Sequence, residues 1–212
     1  MSNVSTQLPT DIWVVASWDD YIQQLEDPAY EKAKGYYYNG QMRIEMLPVG
    51  SDPSCDHAML ISAINLVGIV KGIPLTARDN CTYRKVGSRE CQPDISYYVG
   101  DRTCLIPRGT SIVDLDCYPA PDLTIEIADS SLLTDQGAKR LLYEDLQVSE
   151  YWVVDVQKVQ ILAYSVADRG SKRIDTSQVL PRLAIALLEK TLRHSQETDQ
   201  AQAGTWLLSQ LQ

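Results

Sequence analysis

Residues 121–155 read PDLTIEIADSSLLTDQGAKRLLYEDLQVSEYWVVD. Leu123, Ile125 and Ile127 alternate with Thr124 and Glu126, the period of two that a strand requires. Those three apolar residues are expected to meet the core, and Asp122, Thr124, Glu126 and Ala128 share the opposite face. A loop follows. A helix then starts near Thr134 or Asp135, with Lys139, Leu142 and Leu146 on one side at i, i+3, i+7 spacing. Tyr151, Trp152, Val153 and Val154 form an apolar run that reads as a core strand.

The rest of the chain continues the alternation of helices and strands. Ser17 can cap a helix that carries Asp19 and Asp20 in its first turn, with Trp18, Tyr21, Ile22 and Leu25 on one face. Residues 36–44, YYYNGQMRI, signal a hairpin, because Asn39-Gly40 suits the two positive φ angles of a type I′ turn. The tyrosines read as a strand surface rather than a base-stacking platform. Residues 46–56 read as loop. Residues 57–71, opened by His57, read as a mostly buried helix ended by Gly72 and Pro74. Short strands are expected near 75–78 and 82–86, and another at 92–99, entered through Pro93 and Asp94. Residues 100–120 read as a long loop of the kind that covers a site. A strand at 158–166 pairs with the preceding one, and a helix spans 183–192. The tail from Ser195 is polar up to the apolar cluster Trp206-Leu207-Leu208, which could pack on a partner. The expected fold is α/β (α+β), a mixed central sheet flanked by helices, preceded by an N-terminal helix and hairpin. The expected organisation is a disordered segment at 1–10, one domain over 11–194 and a tail at 195–212.

Composition narrows the function. The chain has 212 residues, 44% hydrophobic and 22% charged, as in ordinary globular domains. No apolar run suggests a membrane span and the N-terminus does not read as a signal peptide, so the expectation is a soluble, cytoplasmic protein. Five cysteines without C-x-x-C argue against a disulfide framework or zinc site and suggest buried thiols. The formal net charge of −9 argues against general affinity for nucleic acid, so contact with DNA would need a local basic patch. Residues 71–110 offer one, with seven bases against four acids.

Glu126 stands in an apolar strand, where an unpaired carboxylate costs several kcal/mol. It needs a cation, and Mg²⁺ or Mn²⁺ would serve. Lys139 borders the buried face of its helix and can reach the sheet. The helix start also suits a phosphate. Taken singly, Asp94 after Pro93 and Lys139 beside Arg140 are ordinary turn and helix-surface residues. Asp122 reads as structural, and His57 reads as a residue satisfied by backbone that could touch a phosphate.

Together these motifs resemble the PD-(D/E)XK nuclease superfamily, and more closely the Uma-type restriction endonuclease family. The resemblance rests on Gln92-Pro93-Asp94, on residues 121–127, on Lys139-Arg140 with Tyr143, and on residues 150–155, and covers about residues 17–193. It implies that Asp94 and Glu126 are metal ligands completed by the backbone carbonyl of Ile127. Ala128 occupies the usual lysine position, so Lys139 becomes the catalytic lysine. Its ammonium would orient or activate the attacking water. The family's further acid before the hairpin is absent, and Glu31 or Glu45 is the substitute. The implied activity is Mg²⁺- or Mn²⁺-dependent endonucleolytic cleavage of DNA, with a homodimer suited to cutting both strands. The alternatives are a degenerate nuclease fold that binds DNA or protein, and a metal-dependent hydrolase of small phosphorylated substrates.

Overall fold

The computed structural model describes residues 9–46 and 50–211. The first eight residues of the expected disordered segment, and Leu47, Pro48 and Val49, lie outside the described residues. Strand β1 (Val14–Val15) leads into α1 (Trp18–Leu25), where Ser17 and Asp20 form a reciprocal capping box. The hairpin β2 (Lys34–Tyr38) and β3 (Gln41–Glu45) turns at Asn39 and Gly40, with φ of 50° and 71°. Helix α2 (Ser51–Lys71) starts six residues before His57, inside the expected loop. Pro53 is compatible with that start because N–H groups in a helix's first turn have no intrahelical acceptor.

Four antiparallel or edge elements follow: β4 (Leu75–Asp79), β5 (Thr82–Lys85), β6 (Arg89–Cys91) and β7 (Ile95–Val99). The expected long loop contains a 3₁₀ turn at Gly100–Arg102 and strand β8 (Ile112–Asp114). Next come β9 (Leu123–Ala128), α3 (Leu132–Thr134), a π-helical turn (Asp135–Lys139) and α4 (Arg140–Asp145). Then β10 (Glu150–Asp155), β11 (Gln160–Ala167) and β12 (Gly170–Arg173) complete the strands, and α5 (Ile185–Glu197) and α6 (Gln200–Leu211) end the chain.

The strands form two mixed sheets where one was expected. Their orders are β1-β3-β2-β6-β5-β8 and β12-β11-β10-β9-β7-β4. In the second, β9 and β10 are parallel neighbours joined through the α3–α4 crossover. One face of this sheet packs Ile95, Leu123, Ile125, Trp152 and Val154 against Met59, Leu60 and Ile64 of α2, with Leu188 and Leu207. Leu207 is therefore buried within the chain, and the segment read as a polar tail is a helix packed on α2 and α5. Helix α2 meets the length and hydropathy of a membrane span by composition, but Met59, Leu60, Ala63, Ile64 and Val67 serve this core.

The Glu126 side of β9 is also covered, because the first sheet packs over it. Tyr36, Tyr83 and Cys91 meet Tyr98, Ala128, Tyr143, Tyr151 and Val153 there. The chain has twelve tyrosines and no phenylalanine, so this layer must satisfy buried hydroxyls. Tyr98 donates to Pro119 O at 2.8 Å and Tyr151 to Asp135 O at 2.8 Å. The tyrosine triplet is thus partly core rather than a strand surface, with Tyr36 and Tyr37 buried. Among the cysteines only Cys91 is buried, whereas Cys55, Cys104 and Cys117 are exposed, contrary to the expectation of buried thiols.

Candidate active site

The hairpin aims a charged face at the second sheet. Lys34 lies opposite Glu45 and Tyr36 opposite Arg43, and directly opposed residues share a face. Gly35, Tyr37, Met42 and Ile44 occupy the other face, where Tyr37, Met42 and Ile44 pack with Tyr21 of α1. The charged face closes over the ends of β7 and β9 to leave a cleft of about 450 Å³. Lys34, Arg43, Glu45, Asp94, Glu126, Ile127 and Lys139 line it, with Ser130 and Ser131 at its edge. The three residues read as catalytic are therefore brought together.

Asp94 is held by the sheet. The pairing of β7 with β9 begins at Ile95 and Ile125, and beyond it Asp94 Oδ2 accepts the Ile127 N–H at 2.6 Å. In a strand, the N–H and C=O of one residue point to the same side. Ala128 O and Asp122 O accept the N–H groups of Val156 and Glu150 on the β10 side, so the Ile127 carbonyl lies on the Asp94 side. Asp94 Oδ1 pairs with the Lys34 ammonium. Burial raises the Asp94 pKa, but Lys34, Lys139 and the Ile127 N–H outweigh it and hold the carboxyl below its ordinary value.

Glu126 is buried and takes the Tyr143 hydroxyl on Oε1 at 2.6 Å and the Lys139 ammonium on Oε2 at 3.3 Å. Tyr36 Oη stands 3.3 and 3.4 Å from its two oxygens but also donates to Gln92 O at 2.7 Å. That phenol has one proton, so it cannot satisfy both neighbours at once. Burial, with Asp94, Asp135 and Glu45 nearby, pushes Glu126 up to about 8 despite Lys139.

Lys139 is 1% exposed. Its ammonium is 2.9 Å from Glu45, 3.0 Å from Asp135 and 3.3 Å from Glu126, and 4.1 Å from the centre of the Tyr36 ring. Burial opposes its charge, but Glu126, Asp135 and Glu45 prevail and raise its pKa well above the ordinary value. The π-helical turn makes this placement possible. Gly137 breaks the helix at φ −103°, ψ −107°, and both Asp135 and Lys139 turn inward. Such turns concentrate at functional sites. Counting these groups, four carboxylates (Glu45, Asp94, Glu126, Asp135) face three cations (Lys34, Arg43, Lys139).

Several expectations change. Of Glu45 and Glu31, Glu45 lines the cleft, fixed by Arg43 Nε at 2.7 Å, whereas Glu31 is exposed and absent from its lining. His57 sits in the second turn of α2 with Nε2 3.1 Å from Asp79 and is absent from the cleft lining. Asp122 is structural as expected, accepting the Val99 N–H at 2.8 Å and pairing with Arg102. The basic stretch is largely spent on acids, since Arg84 pairs with Glu90, Arg89 with Asp145 and Lys85 with Asp116. Lys34, Arg43 and Asp135 were not singled out by sequence reasoning. Their signal was available in part, because period two around Asn39-Gly40 puts Lys34, Arg43 and Glu45 on one strand face.

Residues 18–201 match the family described as "Uma2: Putative restriction endonuclease". The chain is similar in fold to a crystal structure titled as a "putative nuclease belonging to DUF820 from Anabaena variabilis", with a TM-score of 0.57 and 20% identity. That likeness covers 83% of this chain and 98% of the other. No curated protein matches the chain.

Proposed function

The chain belongs to the Uma2 family, and from that membership and the cleft geometry we propose a divalent-metal-dependent endonuclease acting on DNA. Family and neighbour support a nuclease-like function in general. The observation that carries the finer reading is Lys139, a fully buried ammonium on the wall of an open cleft beside Glu126 and Asp94. Burying three or more charges at a cleft is costly unless they are compensated, and such sites concentrate function.

The donor set fits a hard cation. Five carboxylates (Asp11, Glu45, Asp94, Glu126, Asp129) and three cations (Lys34, Arg43, Lys139) line the cleft, and Glu126 is driven toward protonation by burial first and then by the neighbouring acids. Among the described residues no group of three His, Cys, Asp or Glu could hold an ion alone. The proposed ligands are therefore Asp94, Glu126 and the Ile127 carbonyl, with water and substrate oxygens in the remaining positions. That is the habit of Mg²⁺, and Mn²⁺ takes the same donors. When bound, the ion would supply Lewis-acid polarisation and a more acidic water.

The chain's own groups have distinct tasks. The Ile127 N–H orients Asp94, and the Tyr143 hydroxyl orients Glu126. Lys139 is locked as an ammonium by three carboxylates, so it acts as a fixed positive charge rather than a proton acceptor. It would hold the attacking water and offset charge gathering on the phosphoryl oxygens. Glu45 and Asp135 keep that ammonium in place.

The test is nicking of supercoiled plasmid with Mg²⁺ or Mn²⁺, with a chelator control, for wild type, Glu126→Gln and Lys139→Met. Loss of one such group should slow cleavage on the order of 10²-fold or more. Equal nicking by all three proteins would reject this site. Linear product without accumulated nicks would favour two copies acting together. A second reading, a non-cleaving nuclease fold, is favoured by the net charge of −9 and the pairing of the basic stretch with acids. It predicts no Mn²⁺ binding dependent on Glu126.

A further inference from the structure

Lys34 has no place in the roles above, yet its side chain is only 6% exposed and its ammonium lies against Asp94. It arrives from β2 in the first sheet to meet an acid sixty positions away, just ahead of β7 in the second. Both Asp94 oxygens are committed. Oδ2 takes the Ile127 N–H at 2.6 Å, a bond that fixes the carboxylate's orientation, and Oδ1 takes Lys34.

Resting on the nuclease reading, we propose that Lys34 is a resident counter-ion which a divalent ion displaces from Asp94, and which then binds substrate phosphate. The backbone bond at Oδ2 is part of the strand edge and stays. The oxygen left for an ion is the one Lys34 holds, and a dication and an ammonium repel each other there. The two cleft lysines differ in a way that fits this exchange. Lys139 is shared by three carboxylates, so losing one leaves it held. Lys34 has Asp94 as its one ion-pair partner among the described residues. Once parted from it, a buried ammonium needs a new anion. The cleft it lines is where a phosphodiester would lie, and Lys binds phosphate as a mobile point charge. Metal loading thereby exposes a phosphate-binding cation only when Asp94 is occupied.

A simple staple between the sheets is the competing role for Lys34, and the two roles predict opposite changes in metal affinity. Titration calorimetry of the full chain with Mn²⁺, without DNA, separates them. Lys34→Met and Lys34→Gln should each bind Mn²⁺ about tenfold tighter than wild type, as expected from removing a like charge beside the ion. Lys34→Arg, which keeps the charge, should stay near wild type. A short DNA duplex should bind wild type more tightly when Ca²⁺ is added, and the gain should be several-fold smaller in Lys34→Met. Unchanged or weaker Mn²⁺ binding by the two neutral variants overturns the exchange. If Glu126→Gln still abolishes Mn²⁺ binding in that case, the nuclease reading survives. If wild type itself binds no Mn²⁺, both fall.

Discussion

Replacing Lys139 by methionine removes the cation shared by Glu45, Asp135 and Glu126 while roughly keeping side-chain length. Breaking a buried ion pair from one side costs about 3–5 kcal/mol, because the remaining charge is left unpaired. For a chain of this size each kcal/mol moves Tm by roughly 2–4 °C, so a drop of about 6–20 °C is expected at mildly alkaline pH. The deficit should depend on pH in a defined direction. Glu126 sits at about 8 in the folded protein against an ordinary 4.5, and Asp135 is raised as well, by burial first. Acids with raised folded pKa values add stability that is complete below the unfolded value and is lost as pH rises through the folded one. Without Lys139 both rise further, so protonation relieves the variant between the folded and unfolded values. Calorimetric unfolding with chelator, at about pH 8.5 and about pH 5.5, should show the large deficit at the first and a much smaller one at the second. Adding Glu126→Gln to Lys139→Met should recover about 1 kcal/mol or more at the higher pH, as coupled neighbours do. A variant as stable as wild type at the higher pH, or a deficit identical at both, would refute the claim that this ammonium neutralises the buried acids.

Other consequences can be measured separately. With Glu126 at about 8, Mn²⁺ binding near pH 7 should expel close to one proton, and affinity should climb about tenfold per unit as pH rises below that. Calorimetry in buffers of different ionisation enthalpy reads the number, and a release under about half a proton would contradict the protonated state. Away from the cleft, buried Glu150 accepts Trp152 Nε1 at 3.0 Å, Ser177 Oγ at 2.9 Å and the Val179 N–H at 3.0 Å. Glu150→Ala strands these donors and should cost about 2–4 kcal/mol in urea unfolding, with less than about 1 kcal/mol counting against that account.

Much of the local structure was legible because its causes are local. The positive φ at Asn39 and Gly40, the Ser17–Asp20 capping box and the alternation through Glu126 each depend on a few neighbouring residues. The inward turn of Lys139 followed from helical spacing, though the π-helical turn that completes it did not. Strands β6 and β8 were missed because each has three residues, too short for a period, and β6 is completed by β2 and β8 by β5, partners remote in sequence. The second sheet went unseen for the same reason, and with it the covering of the Glu126 face and the burial of Tyr36.

The order of residues alone established the turns, caps and strand faces, and the family resemblance its motifs carry pointed to Asp94, Glu126 and Lys139 as the groups to follow. Only the packing of one sheet on the other decided that Glu45 and not Glu31 joins them, that Lys34 holds Asp94, and that Glu126 is buried deeply enough to be driven toward protonation. Backbone preferences act over a handful of residues and can be read along the chain. The strength of a charge's interactions depends on how much water remains around it and which charges lie within a few ångströms, and both are set by contacts between segments far apart in sequence.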